Sequence, residues 1–317
     1  MAPPTKGVKM AVLSLLVVQN TSLRLVMKYA RTQSPNFSAT VAVFLCEMVK
    51  FGVAFGILAR ARGLVGAFYD VFAPRELGRL VPPAALYLAS DRLHHVSVRL
   101  LSVAAFQILS QSKVLTAALF GKLFRGRDVT GRQWVALVVL GGGIAVCQLG
   151  DQLFAAAASL ELEAPPLGFA CVLTTSCLGA AAGTYTEAVL QRPASDETYL
   201  WRRASQMALL GSAIAAGPAA TAPSGSKGFT AAVYAVVALN AAGGLLVAAA
   251  MRYADNVLKT LAASLSIVVS SVAAFALLGA DAPTPTFALG SLAVVGAVYV
   301  YGTAPKPQAA APAKPAA

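Results

Sequence analysis

Charge is what this sequence has least of. Only 12% of its 317 residues are Asp, Glu, Lys or Arg, where a soluble domain carries about 25%. A mean hydropathy of +0.69 excludes a soluble globular protein, a disordered chain and a disulfide scaffold. Histidine is almost absent, with two copies. They are adjacent, His94 and His95, and lack the i, i+4 spacing of a helical metal site. The four cysteines, Cys46, Cys147, Cys171 and Cys177, all lie in apolar runs and read as small core residues. The first apolar run is interrupted by polar residues and has no cleavage-like end, so no removable leader is expected.

What the sequence does have is apolar length. Ten runs can be marked, near 8–29, 38–59, 80–98, 103–124, 132–149, 166–189, 198–217, 229–250, 254–279 and 285–303. A spanning helix needs about 20 apolar residues. A chain crossing hydrocarbon must satisfy its backbone within the segment. The expectation is an all-α polytopic membrane protein with ten transmembrane helices. Residues 1–149 would form a first five-helix unit, 150–165 a connecting loop, 166–303 a second unit and 304–317 a disordered tail. The stretch 64–77 is expected to lie in the membrane interface.

The net charge is +12. Nearly all of the excess falls on one side of the ten runs: Lys6, Lys9, Arg60, Arg62, Arg75, Arg79, Arg125, Arg127, Arg132, Arg192, Arg202, Arg203, Arg252, Lys306 and Lys314. The other side holds little beyond Arg31, Arg99 and Lys227, and the 150–165 loop has acids only. The positive-inside rule puts both termini in the cytoplasm and accounts for the charge without nucleic acid. A faint repeat is visible as well. Phe124–Asp128 through Gly143 lines up, 153 residues later, with Leu277–Asp281 through Gly296. Five is an odd number, so two five-helix halves would be inverted with respect to each other, a common transporter plan.

Ionisable groups inside a bilayer are costly and mark function by default. The first run carries Gln19, Asn20 and Arg24, the second Glu47 and Lys50, and the third Tyr87, Asp91 and Arg92. The fourth carries Gln107, Ser110, Gln111 and Lys113. The ninth opens on Asp255 and Asn256, with Lys259 one turn in; Asp255 is four residues before Lys259, which leaves an ordinary intrahelical pair open for it. Glu47 and Lys50 have the spacing of an intrahelical pair, and Arg24 reads equally as a residue snorkelling to the headgroups. Lys113 has no local acid. A buried ammonium without a partner loses its proton or finds an anion, and a phosphate-bearing ligand would supply one. Gln107, Gln111, Ser264 and Ser266 are neutral groups suited to a base or sugar. Gly141–Gly143 and Gly243–Gly244 read as close-packing positions. The Asn36-Phe37-Ser38 glycosylation pattern lies in a loop too short to be modified readily.

In order along the chain stand QNTSLRL at 19–25, CEMVK at 46–50, AAFQILSQSKVLTAAL at 104–119 and QWVALVVLGGGIAVCQ at 133–148. They are followed by GTYTEAVL at 183–190, LWRRASQ at 200–206, GGLLVAAAMRYADNVLKTLAASLSIVVS at 243–270 and YVYG at 299–302. On these motifs the chain resembles the Golgi nucleotide-sugar transporters, in the branch of the CMP-sialic acid, UDP-galactose and UDP-N-acetylglucosamine carriers. That branch belongs to the drug/metabolite transporter superfamily. The resemblance implies a ten-helix antiporter, not an enzyme and without a cofactor, in the Golgi membrane. It would exchange a nucleotide sugar for the nucleoside monophosphate. Lys113 and Lys259 match the family's phosphate-facing lysines. Glu47, Lys50, Tyr253, Asn256, Ser264, Ser266 and Gln206 match further motif positions. A second copy of the chain or a glycosyltransferase would be the protein partners. The chain departs from the family pattern at Ser90-Asp91-Arg92, Ser110 and Ala204, and Asp91 disfavours a sialic carboxylate. A UDP-sugar is therefore favoured over CMP-sialic acid. A drug or metabolite exporter, or a non-transporting partner of glycosyltransferases, remains open at this point.

Overall fold

A computed structural model describes residues 6–152, 166–192, 196–222, 225, 227–279 and 283–304. The tail and most of the 150–165 loop lie outside them. Among the described residues the fold is all-helical. The helices are α1 (Lys6–Gln33), α2 (Ala39–Phe72), α3 (Pro74–Gly78), α4 (Val81–Leu100), α5 (Val103–Ser110) and α6 (Ser112–Arg125). They continue as α7 (Gly131–Leu149), α8 (Pro166–Leu190), α9 (Tyr199–Ala220), α10 (Ala231–Tyr253), α11 (Asn256–Leu278) and α12 (Pro285–Thr303). Seven of these, α1, α2, α7, α8, α10, α11 and α12, are long and apolar enough to cross a membrane. Their outward faces carry large apolar side chains, such as Val135, Leu289, Leu292 and Tyr299, as lipid contact requires.

Two elements differ from the sequence expectation. α2 does not stop near residue 59. It bends at Gly63, whose φ of 75° only glycine adopts readily, and continues to Phe72. Most of the expected interfacial stretch is this continuation, with Ala67 and Val71 buried against Trp201 and Leu209. The fourth apolar run is broken at Gln111. There the Ser110 hydroxyl and the Gln111 amide both donate to the Gln107 carbonyl, at 2.9 and 3.1 Å. The Gln111 N–H then turns to Ile108 instead. Polar side chains that bond the local backbone compete with helix continuation in this way.

The packing partners are α2 with α9, α7 with α12, α4 and α6 with α8, and α10 and α11 with α1. α7 and α12 cross in backbone contact. A Cβ on Gly290 would stand 2.8 Å from the Gly143 carbonyl oxygen, and one on Gly143 would stand 3.0 Å from that of Gly290. α6 and α11 end alike, on Gly126 (φ 60°) and Gly279 (φ 61°) in the left-handed region. α7 and α12 then start alike. The Thr130 and Thr284 hydroxyls accept from the N–H three residues on, as a helix N-cap does.

The arginine-rich end is tied by ion pairs. Arg62 meets Asp196, and Arg202 approaches Asp70 at 3.6 Å. Arg203, 2% exposed, pairs with Glu76 and donates to the Gln206 side chain. Burial pushes the Glu76 carboxyl up. The Arg203 bond and charge, with Arg79 and Arg202, outweigh this and hold it below the ordinary glutamate range. Asp196 follows the same logic: burial raises it, while Thr198, Arg62 and Arg202 more than offset that.

Candidate functional site

A cavity of about 880 Å³ lies between α2, α4, α9 and α10, with Thr186 of α8 and Lys259 of α11 at its wall. That is room enough for a ligand of nucleotide size. It runs from Ala39 and Pro218, both exposed, to Leu80, Thr186 and Met251, all buried. The buried residues lie toward the arginine-rich end. Its wall is largely apolar, with a few charged and polar groups set into it.

Six sequence candidates are at or beside this space. Glu47 and Lys50 line it, and Lys50 donates to the Glu47 carboxylate. Tyr87 and Asp91 line it from α4, as do Arg92 and His95. His95 Nε2 is 3.7 Å from Asp91 Oδ2. Lys259 lines it from α11. Lys113 does not line it but lies within electrostatic reach of Lys259. Lys113 in turn feels Arg24, so α1 brings a third cation to the group. Among the described residues no carboxylate stands within ion-pairing distance of these three; the ion pairs fall elsewhere. Glu187 is within reach of Lys259. It is already engaged by Arg127, by Arg125 at 3.6 Å and by the Asn256 N–H at 2.9 Å.

The other candidates sit apart from the cavity wall. Gln107 and Gln111 are at the α5–α6 break, each with a buried side-chain oxygen lacking a partner. Ser110 is bonded to the Gln107 carbonyl. Ser264 and Ser266 donate back to Thr260 and Ala263 within α11. Tyr253 packs beside Leu190, Leu200 and Met251. Gln206 is fully buried under the arginine-rich end and donates to the Asp70 and Val71 carbonyls. For Arg24 the sequence leaves two readings, an in-span functional group or a residue snorkelling from a helix end. The signal that marks it is helix length: α1 runs on to Gln33, so Arg24 is not at an end.

Glycines make the space for these polar groups. A Cβ on Gly211 would stand 2.6 Å from Glu47 Oε2, and one on Gly244 would stand 2.5 Å from Lys50 Cδ. A Cβ on Gly183 would stand 2.7 Å from the Asn256 amide, and one on Gly243 would collide with the Gln19 amide. The GG pair of α10 thus accommodates side chains from α1 and α2, as well as allowing the helices to approach.

The nucleotide-sugar transporter family model matches residues 4–302. The chain belongs to the nucleotide-sugar transporter family. It is 36% identical over 304 residues to a UDP-galactose translocator of Bos taurus, covering 91% of this chain and 76% of that protein. It is 32% identical over 313 residues to a UDP-N-acetylglucosamine transporter of Mus musculus, covering 93% and 95%. A solved crystal structure shares the fold, with a TM-score of 0.67 at 15% identity over 94% of this chain and 98% of that one. The family and these relatives are transporters, not enzymes. The several apolar helices fit a multi-pass membrane carrier.

Proposed function

We propose that this transporter is an antiporter that carries a UDP-sugar, such as UDP-galactose or UDP-N-acetylglucosamine, into the Golgi lumen and returns UMP. CMP-sialic acid is the next choice. The observation that carries the reading is the pair Lys113 and Lys259, within electrostatic reach of each other and without an acid partner at ion-pairing distance. Two ammonium groups in a low-dielectric cavity call for an anion, and a pyrophosphate supplies two charges. The adjacent cavity has the volume for the rest of the ligand. The names of the relatives support the UDP-sugar. Obligatory exchange follows from the same electrostatics: reorienting with no anion would carry uncompensated lysines through the membrane.

The architecture we assign is ten spans in two inverted halves, α1–α7 and α8–α12, rocking about the central site. The packing pattern supports it. Exchanging α1 with α8, α2 with α9, α4 with α10, α6 with α11 and α7 with α12 maps the principal packing pairs onto one another. The matched glycine and threonine caps around α6–α7 and α11–α12 obey the same exchange. The positive-inside rule then makes the arginine-rich end cytoplasmic, with both termini there. The cavity, closed toward that end, corresponds to the lumen-facing state. A second copy of the chain would meet the apolar outer face of α7 and α12; association with a glycosyltransferase is the other partner we keep.

The test is exchange in liposomes loaded with UMP. Wild type is expected to take up UDP-sugar only against internal nucleotide. Lys113→Ala and Lys259→Ala are expected to lose exchange while staying folded by size-exclusion profile. Wild-type rates in both variants would overturn the assignment.

A further inference from the structure

The group of cations at Lys259 and behind it, Lys259, Lys113 and Arg24, has one more member than a pyrophosphate needs. Arg24 lies on a stripe of α1 formed by Leu13, Val17, Asn20 and Arg24, spaced four, three and four residues apart, which is one helix face. Leu13 and Val17 are half-buried beside the cluster of Leu16, Ala250 and Ala262, so this stripe borders the face that α1 packs on α10 and α11, the helix of Lys259. Arg24 continues the stripe about two turns further along. α1 extends nine residues beyond it to Gln33, about 14 Å at helical rise, so Arg24 stands well inside the helix. Its side chain is exposed, and a charge exposed within a span faces a water-filled space in preference to lipid; it is within electrostatic reach of Lys113, as Lys113 is of Lys259.

The surrounding charges do not neutralise this row. Glu47 is taken by Lys50. Glu187 is taken by Arg125 and Arg127. Asp91 and Arg92 line the wall with opposite charges and no net one, and Asp91 lies 3.7 Å from His95. Three cations remain, and an unmatched charge held away from water is costly. A pyrophosphate linked to a neutral sugar brings two negative charges and leaves one cation unpaired.

We propose that Arg24 is a third anion-binding residue, and that it makes the site prefer ligands with a third negative charge. This rests on the nucleotide-sugar reading above and narrows its substrate class. The chemistry is a nucleoside diphosphate bearing one further anionic group: the carboxylate of a uronic sugar, or the terminal phosphate charge of the free diphosphate. Charge-assisted bonds from a guanidinium to carboxylate or phosphate are the strong ones, often bidentate, which suits Arg where Lys would serve less well.

The experiment is equilibrium binding to the purified full-length protein, at one salt concentration, of UDP-glucuronate, UDP, UDP-galactose and UMP. UDP-glucuronate is expected to bind at least about tenfold more tightly than UDP-galactose, the scale of one charge-assisted bond. The UDP arm tells the two sources of the charge apart: if UDP shares the gain, the terminal phosphate suffices, and if not, the carboxylate is the group read. Arg24→Leu is expected to bring UDP-glucuronate, UDP and UDP-galactose to within about twofold of one another, and Arg24→Lys to keep part of the preference. Equal wild-type binding of UDP-glucuronate, UDP and UDP-galactose overturns the proposal while leaving the nucleotide-sugar reading intact. A preference that persists in Arg24→Leu also overturns it. Absence of binding by every uridine nucleotide would sink both readings together.

Discussion

Arg127, between α6 and α7, is ion-paired to Glu187 near the end of α8, and its second nitrogen reaches the other carboxylate oxygen at 3.4 Å. Arg127 also approaches Asp255 at 3.6 Å. The pair joins one half of the chain to the other, and Glu187 is 1% exposed. On the lumen-facing reading proposed above, this pair would be the closure of the arginine-rich end; Glu187 is within electrostatic reach of Lys259.

Glu187→Gln removes the charge from this closure and leaves the shape. A buried pair that loses one member is strongly destabilised, so the closed state is expected to give way. The readout is labelling of Met251→Cys, at the buried end of the cavity, by a membrane-impermeant maleimide added from the arginine-rich face. Labelling in the Glu187→Gln background should rise roughly tenfold or more, the usual scale of coupling between sites. Unchanged labelling would mean that this pair does not hold the cavity shut.

Gly211→Ala and Gly244→Ala should disturb the site without adding charge. Each new methyl enters the space of Glu47 or Lys50. Overpacking of this kind costs about 1–3 kcal/mol. Gly244→Ala should do more harm, because it meets the middle of the lysine chain and not its end. Thermal unfolding of the two variants beside Gly217→Ala, where a methyl meets open space, separates the packing effect from helix propensity.

Acid should loosen the arginine-rich end. Glu76 and Asp196 are held below their ordinary values by arginines, and the unfolded carboxyls titrate near about 4. A depressed folded value contributes stability above the unfolded value and loses it as pH falls through the folded one. The melting temperature in detergent should be level from pH 7 to about 5 and fall below about 4. Glu76→Gln should start lower at neutral pH, by on the order of 2 kcal/mol, and fall less on acidification. That figure is under the ~3–5 of a fully buried pair, because Glu76 is part exposed.

Asn36 should carry no glycan. The next residue, Phe37, is 7% exposed and stacks edge-on against Phe229. Asn36 itself is exposed, but its backbone is tied to the bundle through Phe37. A gel shift that vanishes in Asn36→Gln would show the reverse.

The helical class was legible because apolar runs of bilayer length leave the backbone no other solution. Lys113 stands out in the sequence because no acid lies near it, and Lys259 because apolar residues follow it, although Asp255 is four residues before. Arg24 stands among the in-span polar residues too, but two readings remained for it, because its run ends near residue 29 in the sequence while the helix reaches Gln33. The break at Gln111 and the bend at Gly63 depend on local hydrogen bonding and one dihedral, and no hydropathy pattern reports either. Gln206 looked like Gln107 in composition. The fold places it under Arg203 among backbone carbonyls, a setting that only tertiary packing reveals.

The fit between polar side chains and facing glycines has a consequence for how the chain can change. Glu47 with Gly211, Lys50 with Gly244, Asn256 with Gly183 and Gln19 with Gly243 are each a key and its slot. Shortening the key leaves a hole in the membrane, and filling the slot ejects the key. Neither partner is free to drift alone. Among relatives the two positions of each pair are expected to switch in step, so a change of ligand through any of these side chains requires two substitutions on separate helices.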